Sequence, residues 1–344
     1  MSAAALRQVI APLRAALYDL NGENARRAIG EVFAPDAPVH LAHPFETLAS
    51  PDALWTDALG LLARAMPDLE RRDTMVLAGH SLTGEDWAGC LGYYTGTFLA
   101  PFLDIPPTGH QAAMRFHEFY KIEGGKVVEF QALWDIPELM MQAGAWPMVP
   151  SLGREWQVPG PATQDGLAAH DATRSAGALQ LVSDMLAGLG NFATGGVKAM
   201  RLQDYWHPKM NWYGPAGIGT NRGIAGFRHW HQIPFLNAMP DRVGTLGKGN
   251  LFAEGDYVGF TAWPGMKMTV SGDGWLGIAP SNTAITMRSL DFWRCEGDLI
   301  RENWVLVDLL HVYAQLGVNV LGRMREFNKV RHVAPIALAD GGYL

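Results

Sequence analysis

The chain has 344 residues, 18% charged and 48% hydrophobic, with a net charge of −7 at pH 7. This composition is typical of a folded globular protein, and the acidic balance argues against a nucleic-acid partner, which needs a basic surface. Cys90 and Cys295 do not match between the two halves described below, so no disulfide framework is expected. Because Arg7, Arg14 and Asp19 interrupt the first apolar run, neither a signal peptide nor a membrane span is expected. We therefore expect a soluble, cytoplasmic protein.

The first 143 residues show helical spacing followed by strand alternation. Leu6, Ile10, Leu13 and Leu17 recur at helical intervals, and from about residue 72 the apolar period changes to two. A hairpin turn is predicted at Glu123-Gly124-Gly125. The patterns predict three helices, four strands and a closing helix at 3–20, 24–33, 51–66, 73–79, 86–98, 111–122, 126–134 and 136–143.

A segment rich in proline and glycine separates these elements from a second set in the same order. In the second set we predict helices at 174–188, 196–206 and 223–238, then strands ending with 299–307, and a last helix at 308–326. The predicted division is a first domain at 1–144, a linker at 145–166, a second domain at 167–330 and a tail at 331–344.

The two sets share residues at a constant offset of 173 positions. Met114 to Gly124 matches Met287 to Gly297, with Met, Arg, Phe, Glu and Gly identical. Such a period is too long for a solenoid repeat, so it indicates one domain fold used twice. Helices followed by an antiparallel sheet in each copy predict the α+β class. Further matched pairs are His40 with Tyr213, Glu129 with Glu302 and Asp135 with Asp308.

Several motifs resemble those of a known family. In the first copy they are Leu-Asp-Ile-Pro-Pro-Thr-Gly at 103–109, then 114–125 and Leu-Trp-Asp at 133–135. In the second copy they are the stretches 212–219, 231–236, 239–241 and 302–304, the last of these leading to Asp308. This pattern resembles the SnoaL-like ester cyclases, and in particular a tandem subgroup of them.

The resemblance implies a nuclear-transport-factor-two-like fold. In that fold three helices and a curved antiparallel sheet form a cone around a deep apolar pocket. We therefore expect two such cones packed sheet to sheet as an internal pseudo-dimer, with homodimerisation as a further option. The resemblance also implies acid–base chemistry without a cofactor, with Asp135 and Asp308 as general acid/base. Where the family has a sheet histidine, the chain has Tyr94 in the first copy and about Val270 in the second.

The two aspartates are the main catalytic candidates. Strand alternation places Asp135 on one face with Glu129, and Asp308 on the matching face with Glu302 and Trp304. A carboxyl desolvated at the end of an apolar strand has a raised pKa and can serve as a base near neutral pH. The alternative is that both residues are N-caps of the closing helices.

Other polar residues complete the candidate site. His40 and Tyr213 are candidates to donate a hydrogen bond to an enolate oxygen, or are satisfied polar groups of the core. Arg115 and Arg288 are expected either in buried ion pairs or as anchors for a substrate carboxylate. The remaining predicted pocket residues are Trp304, Glu302, Tyr94, His117 and Trp212.

Three patterns are set aside. His229 and His231 point in different directions on a helix, so no metal site is expected there. The glycines between 214 and 223 lack the strand-then-helix setting and the Gly-Lys-Ser/Thr of a phosphate loop. A Gly-x-Ser-x-Gly elbow is absent from the sequence, which gives no support to a serine hydrolase.

The leading hypothesis is therefore a cofactor-free enzyme acting on a hydrophobic carbonyl compound by aldol closure, isomerisation or elimination. The alternative is a protein of the same fold that binds a small hydrophobic ligand without reaction. A third option has a single active copy, for which the motifs around Asp308 favour the second.

Overall fold

The computed structural model describes residues 1–244, 249–329 and 331, with the backbone alone at 193 and 194. The predicted tail thus lies outside the described residues except for residue 331. The helices of the first half are α1 (Ala3–Tyr18), α2 (Gly22–Val32), a π-helical turn (Leu54–Leu59), α3 (Gly60–Ala65) and α4 (Ile136–Gln142). Its strands are β1 (Val39–His40), β2 (Thr47–Leu48), β3 (Glu70–His80), β4 (Asp86–Thr97), β5 (Gln111–Glu123) and β6 (Lys126–Trp134).

The second half repeats this order. Its helices are α5 (Ser175–Leu189), α6 (Phe192–Ala199), α7 (Gly223–Phe227), a π-helical turn (Arg228–Gln232), α8 (Ile233–Ala238), α9 (Leu309–Gln315) and α10 (Val320–Phe327). Its strands are β7 (Trp206–Tyr213), β8 (Thr220–Arg222), β9 (Val243–Gly244), β10 (Asn250–Glu254), β11 (Tyr257–Thr269), β12 (Ala284–Glu296) and β13 (Leu299–Val307).

Each half has one sheet. The first has the order β2-β1-β6-β5-β4-β3, and the second β10-β11-β12-β13-β7-β8, with β9 on β11. The long strands are antiparallel hairpin neighbours, whereas β1 runs parallel to β6 and β7 parallel to β13. The α+β class and the two tandem cone-shaped domains are confirmed.

Two sequence predictions are wrong in part. The predicted helix 196–206 ends at Ala199, and Trp206 instead begins β7, which pairs with β13. The predicted helix 308–326 is two helices, because Gly317 with φ 76° separates α9 from α10. Within the described ranges, no helix has the length and apolarity that crossing a membrane requires.

Both faces of each sheet are buried. Helices cover one face, as where α1 places Leu6, Ile10 and Leu13 against the first sheet. The other face packs on the opposite sheet, so the two halves share a second apolar layer. That layer includes Leu77, Trp87, Leu91, Phe119, Leu133, Phe252, Phe292, Trp304 and Leu306.

Matched residues of the two halves meet within this layer. The rings of Phe119 and Phe292, which are 173 positions apart, stack with centroids 4.8 Å apart and planes at 22°. His117 Nδ1 lies 2.7 Å from the carbonyl oxygen of Leu290, again its match at 173 positions. Contacts between equivalent residues occur at a two-fold axis, so a pseudo-two-fold axis passes through the layer.

The segment predicted as a linker contacts both halves. The Val158 N–H donates to Tyr93 Oη at 2.9 Å, and the Val76 N–H donates to the Gly166 carbonyl at 2.9 Å. In the second half, Trp304 Nε1 donates to the Pro159 carbonyl at 2.9 Å. The segment is therefore held along the edge of the sheet layer.

Candidate active site

Asp135 lies between the two halves. Its Oδ2 accepts the Ala216 N–H of the second half at 2.9 Å and is 3.3 Å from Arg115 Nη2. Arg115 also donates to the Gly214 carbonyl at 2.7 Å. Burial raises the pKa of Asp135, and Arg115 opposes that effect. This group of contacts joins the halves of the molecule.

Asp308 makes the matching contacts 173 positions later. It accepts the His43 N–H of the first half at 2.9 Å and pairs with Arg288 Nη1 at 3.1 Å. It also accepts the His311 N–H at 3.1 Å and so caps α9. Burial likewise raises the pKa of Asp308. Neither aspartate lines the cavity described below, and their general acid/base role stays a prediction that this position does not favour.

Other predicted residues also lie away from that cavity. Tyr213 Oη donates to Glu302 Oε1 at 3.2 Å, and Glu302 pairs with Arg294. The indole of Trp304 is held by the Pro159 carbonyl. These contacts give Tyr213, Glu302 and Trp304 structural partners beside the linker segment.

The predicted histidines face the opposite half. His40 Nδ1 is 2.9 Å from Thr47 Oγ1, and its ring stacks on Trp263 of the second half. His117 is fully buried beside Leu290, and burial lowers its pKa well below the usual range. The Arg288 guanidinium also lies over the Trp263 ring, 4.7 Å from its centroid.

The interior of the first cone is organised around Glu118. This side chain is buried and accepts hydrogen bonds from Arg71 Nη1 at 2.5 Å, Tyr94 Oη at 2.8 Å, Tyr120 Oη at 2.6 Å and Trp134 Nε1 at 3.3 Å. Tyr94, a predicted pocket residue, is thus one of four donors. A carboxylate held by this many partners is typical of a structural ion pair.

In the second cone Asp291 occupies the position of Glu118, but none of the four matching positions donates to it. The strand register assigns the counterparts as Gly244 for Arg71, Met266 for Tyr94, Trp293 for Tyr120 and Val307 for Trp134.

This register also corrects the predicted counterpart of Tyr94. Tyr94 pairs with Met114, and Met266 pairs with Met287, which matches Met114. Val270 lies beyond this pair, after the end of β11. An irregularity in β11 between Ala262 and Met266 shifts the register, so Met266 rather than Val270 stands opposite Met287.

The second cone contains a cavity of about 180 Å³. Gly244, Met266, Trp293 and Val307 all line it, so the residues that replace the first cone's donors form part of its wall. Trp212, a predicted pocket residue, also lines it. The other aromatic side chains of the wall are Trp206, Phe227, Phe235, Phe260 and Trp275.

Asp291 is the acid of this cavity. Its side chain is buried, and Ser289 Oγ, at 2.8 Å, is its one hydrogen-bond donor in the part of the chain that the structure describes. Burial raises the pKa of Asp291 to about 7, and the Ser289 hydrogen bond opposes the shift. A carboxyl that titrates near neutral pH can both take up and return a proton.

Several polar atoms of the wall have no protein partner among the described residues. They are His231 Nδ1, Gln232 Oε1, Trp206 Nε1 and Trp293 Nε1, and all are buried. Burial lowers the pKa of His231 to about 3, and its ring stacks on Trp212 with centroids 4.1 Å apart. Because buried polar groups are normally paired, these atoms are suited to a ligand with polar groups of its own.

Sequence reasoning missed Asp291, Ser289 and His231 as site residues. The signal for Asp291 was present, since Glu118 and Asp291 stand at the same place in the repeat. His231 is the first residue of the family-like motif 231–236, but the sequence assigned it no role beyond the rejected metal pair with His229. The two histidines separate in the structure, because His229 binds the Ala225 carbonyl whereas His231 lines the cavity.

Comparison with known families supports the tandem arrangement. The profile of the SnoaL-like polyketide cyclase family matches twice, at residues 12–143 and 193–316. The chain belongs to this family. Its two SnoaL-like regions contain Glu118 and Asp291 respectively. No curated protein matches the sequence closely enough to be named as a relative.

Solved structures similar to this SnoaL-like chain each correspond to about one of its halves. AclR from Streptomyces galilaeus is 21% identical, with 43% of this chain and 87% of AclR covered and a TM-score of 0.35. TsrD from Streptomyces laurentii is 18% identical, with 42% and 98% covered and a TM-score of 0.35. An NTF2-like protein from Burkholderia thailandensis is 20% identical, with 42% and 98% covered and a TM-score of 0.32.

Proposed function

We propose that this protein is an acid–base enzyme that acts on a hydrophobic carbonyl compound and that its second cone carries the reaction. The observation that supports this most is Asp291, a carboxyl with a pKa of about 7 in an apolar cavity. Membership of the SnoaL-like polyketide cyclase family supports a cyclase-like reaction. The substrate class follows from the aromatic wall and the few polar atoms within it.

The reaction begins with proton transfer from carbon. The ionised carboxylate of Asp291 removes a proton from the carbon next to a carbonyl, and the electrons of the C–H bond move to the carbonyl oxygen as an enolate. Trp293 N–H, two residues along the same face of β12, has no partner among the described residues and is a candidate donor for that oxygen. The neutral ring of His231 is a second candidate donor.

The enolate then determines the product. Attack on a second carbonyl of the same molecule closes a ring by aldol addition, and the new alkoxide takes the proton that Asp291 removed, directly or through water, which restores the carboxylate. Return of the proton from Asp291 to a different carbon gives isomerisation, and loss of a leaving group gives elimination. Each outcome balances without a redox change, so the proposal requires no redox cofactor. The family assignment favours ring closure among the three.

The first cone has a supporting role in this proposal. Arg71, Tyr94, Tyr120 and Trp134 occupy the space around Glu118 that is open around Asp291. The first half therefore supplies the second sheet of the interface. The proposal therefore corresponds to the option in which only one copy is active, and that copy is the second.

The second candidate function is binding of a small hydrophobic ligand without reaction. The unpaired polar atoms of the wall favour it, because they fit a ligand that is held in place whether or not it reacts. The two candidates differ in what they require of Asp291. Catalysis needs its proton transfer, whereas binding needs only its contacts.

Hydrogen exchange at carbon tests the proposal without knowledge of the natural substrate. We expect the wild type to accelerate deuterium incorporation next to the carbonyl of 2-tetralone in D₂O, followed by proton NMR. Asp291→Asn should lower the accelerated rate by about 100-fold or more, the usual contribution of a general base. Ser289→Ala, which retains the carboxyl, should keep most of the rate. Equal exchange by wild type and Asp291→Asn would contradict catalysis, and ligand binding without exchange would support the alternative.

A further inference from the structure

Besides Asp291, one charged residue among the described residues lines the cavity of the second cone, namely Arg242. Its Nε is buried and has no partner among the described residues. Its Nη2 is 3.4 Å from the Leu189 carbonyl, and its guanidinium carbon is 6.0 Å from the centroid of the Phe235 ring. Burial lowers the pKa of Arg242, and no carboxylate of the described residues acts against that effect.

Arg242 is half-buried and, like Arg228, has no carboxylate partner among the described residues, whereas the fully buried arginines do. Arg71, Arg115 and Arg294 each pair with a carboxylate. The neighbouring Asp241 is directed to the Thr269 N–H at 2.8 Å, and residues 245–248 contain no acid in the sequence. A partly buried cation that lacks a counter-charge is costly unless something else supplies one.

Arg242 and Asp291 lie at different positions along the axis of the cone. Gly244, two residues after Arg242, pairs with Met266, and Met266 pairs with Met287 of β12. Met287 lies four residues before Asp291 on the same strand. Four residues of a strand span roughly 13 Å. A ligand that reaches both groups is therefore elongated, with its charged end away from the carbon that Asp291 faces.

We propose that the ligand of the second cone is a flat hydrophobic acid whose carboxylate binds Arg242. A guanidinium presents paired N–H donors to a carboxylate, and the seven Trp and Phe side chains of the wall accommodate a planar body. The one cation among the described lining residues fits one monoanionic group. This inference rests on the proposed function, since it names the substrate class of the same cavity.

A matched pair of neutral and anionic compounds tests the inference by isothermal titration calorimetry. The probes are biphenyl-4-carboxylate and biphenyl-4-carboxamide, which differ in charge and little in shape. We expect the wild type to bind the carboxylate at least about 10-fold more tightly. Arg242→Gln should abolish that preference and leave the carboxamide affinity unchanged, and Arg242→Lys should retain part of it. Arg323→Gln, which removes an exposed arginine of α10, is the control and should behave as wild type.

Three results would overturn the inference: equal affinities in the wild type, an equal loss of both affinities in Arg242→Gln, or no binding of either probe. The outcome is separable from that of the proposed function. If the wild type prefers the carboxylate but does not exchange 2-tetralone, only the proposed function fails, and if it exchanges 2-tetralone without that preference, only the present inference fails. The exchange of 2-tetralone and the preference for biphenyl-4-carboxylate therefore test the two proposals separately.

Discussion

Glu118 and Asp291 occupy the same position in two copies of one fold but have opposite environments. Glu118 is held by Arg71, Tyr94 and other donors, whereas Asp291 has the Ser289 hydroxyl at 2.8 Å and an apolar cavity. The fold alone therefore does not determine what the shared acid does. Its neighbours make it a structural ion pair in one half and a titrating group in the other.

The raised pKa of Asp291 predicts that the folded protein is more stable without this charge. Below about pH 4 the carboxyl is protonated in both the folded and the unfolded state and contributes nothing. Between about 4 and 7 the unfolded state releases the proton and the folded state keeps it, so stability falls as pH rises. Asp291→Asn should therefore be more stable than wild type by about 1–4 kcal/mol at pH 8 and about equal at pH 4.

Urea unfolding followed by circular dichroism at the two pH values measures this difference. Asp57→Asn, at an exposed acid of the first half, is the control and should change stability by less than about 0.5 kcal/mol. A variant Asp291→Asn that is less stable than wild type at pH 8 would show that the carboxylate has a compensating partner.

Removal of the Glu118 charge should have the opposite effect. Glu118→Gln leaves the fully buried Arg71 with Asp73 as its remaining acid partner, so we expect a loss of about 2–4 kcal/mol in the free energy of unfolding. Glu70→Gln, which breaks the exposed pair with Arg72, should cost less than about 1 kcal/mol. Denaturant unfolding checks both variants, and equal effects would mean that the buried network contributes little.

The ion pairs between the halves should differ in importance. Asp135→Asn removes the carboxylate partner of Arg115, whose side chain is 1% exposed. After Asp308→Asn, the half-exposed Glu46 still pairs with Arg288. We expect losses of about 2–4 kcal/mol for Asp135→Asn and about 1–2 kcal/mol for Asp308→Asn. Thermal unfolding of the two variants gives the comparison. The reverse order would indicate that Arg115 is satisfied by the Gly214 and Tyr213 carbonyls alone.

The stacked pair on the pseudo-two-fold axis should hold the sheets together. Phe119→Ala and Phe292→Ala each remove a fully buried ring from the layer between the sheets, with an expected cost of about 3–5 kcal/mol. Because the rings contact each other, the double variant should lose about 1 kcal/mol less than the sum. Phe327→Ala, at an exposed ring, serves as the control. Additive losses would mean that the two rings do not interact.

The sequence predicted the elements well where local patterns govern them. The four long strands of the first half and the helix around Leu6 and Leu13 follow from periodicity alone. The strand that begins at Trp206 was missed because it pairs with a distant strand, and no local pattern shows such a partner.

The predicted aspartates and the cavity around Asp291 lie on opposite faces of the second sheet. Alternation correctly grouped Asp308 with Trp304 and Glu302, but both faces of each sheet are buried, one by helices and one by the other sheet. A period of two cannot say which buried face encloses the cavity. The sequence repeat aligns Asp291 with Glu118. That Gly244 and Met266 replace the donors Arg71 and Tyr94 follows only from the strand register.

The pH dependence of 2-tetralone exchange, measured in parallel for wild type, Glu118→Gln and Asp308→Asn, tests the central claim most directly. Because the base must be ionised, the rate should rise with pH and level off above about 7 in all three proteins. Asp291→Asn should lack this rise. The account is contradicted if Asp308→Asn or Glu118→Gln abolishes exchange in folded protein while Asp291→Asn retains the wild-type profile.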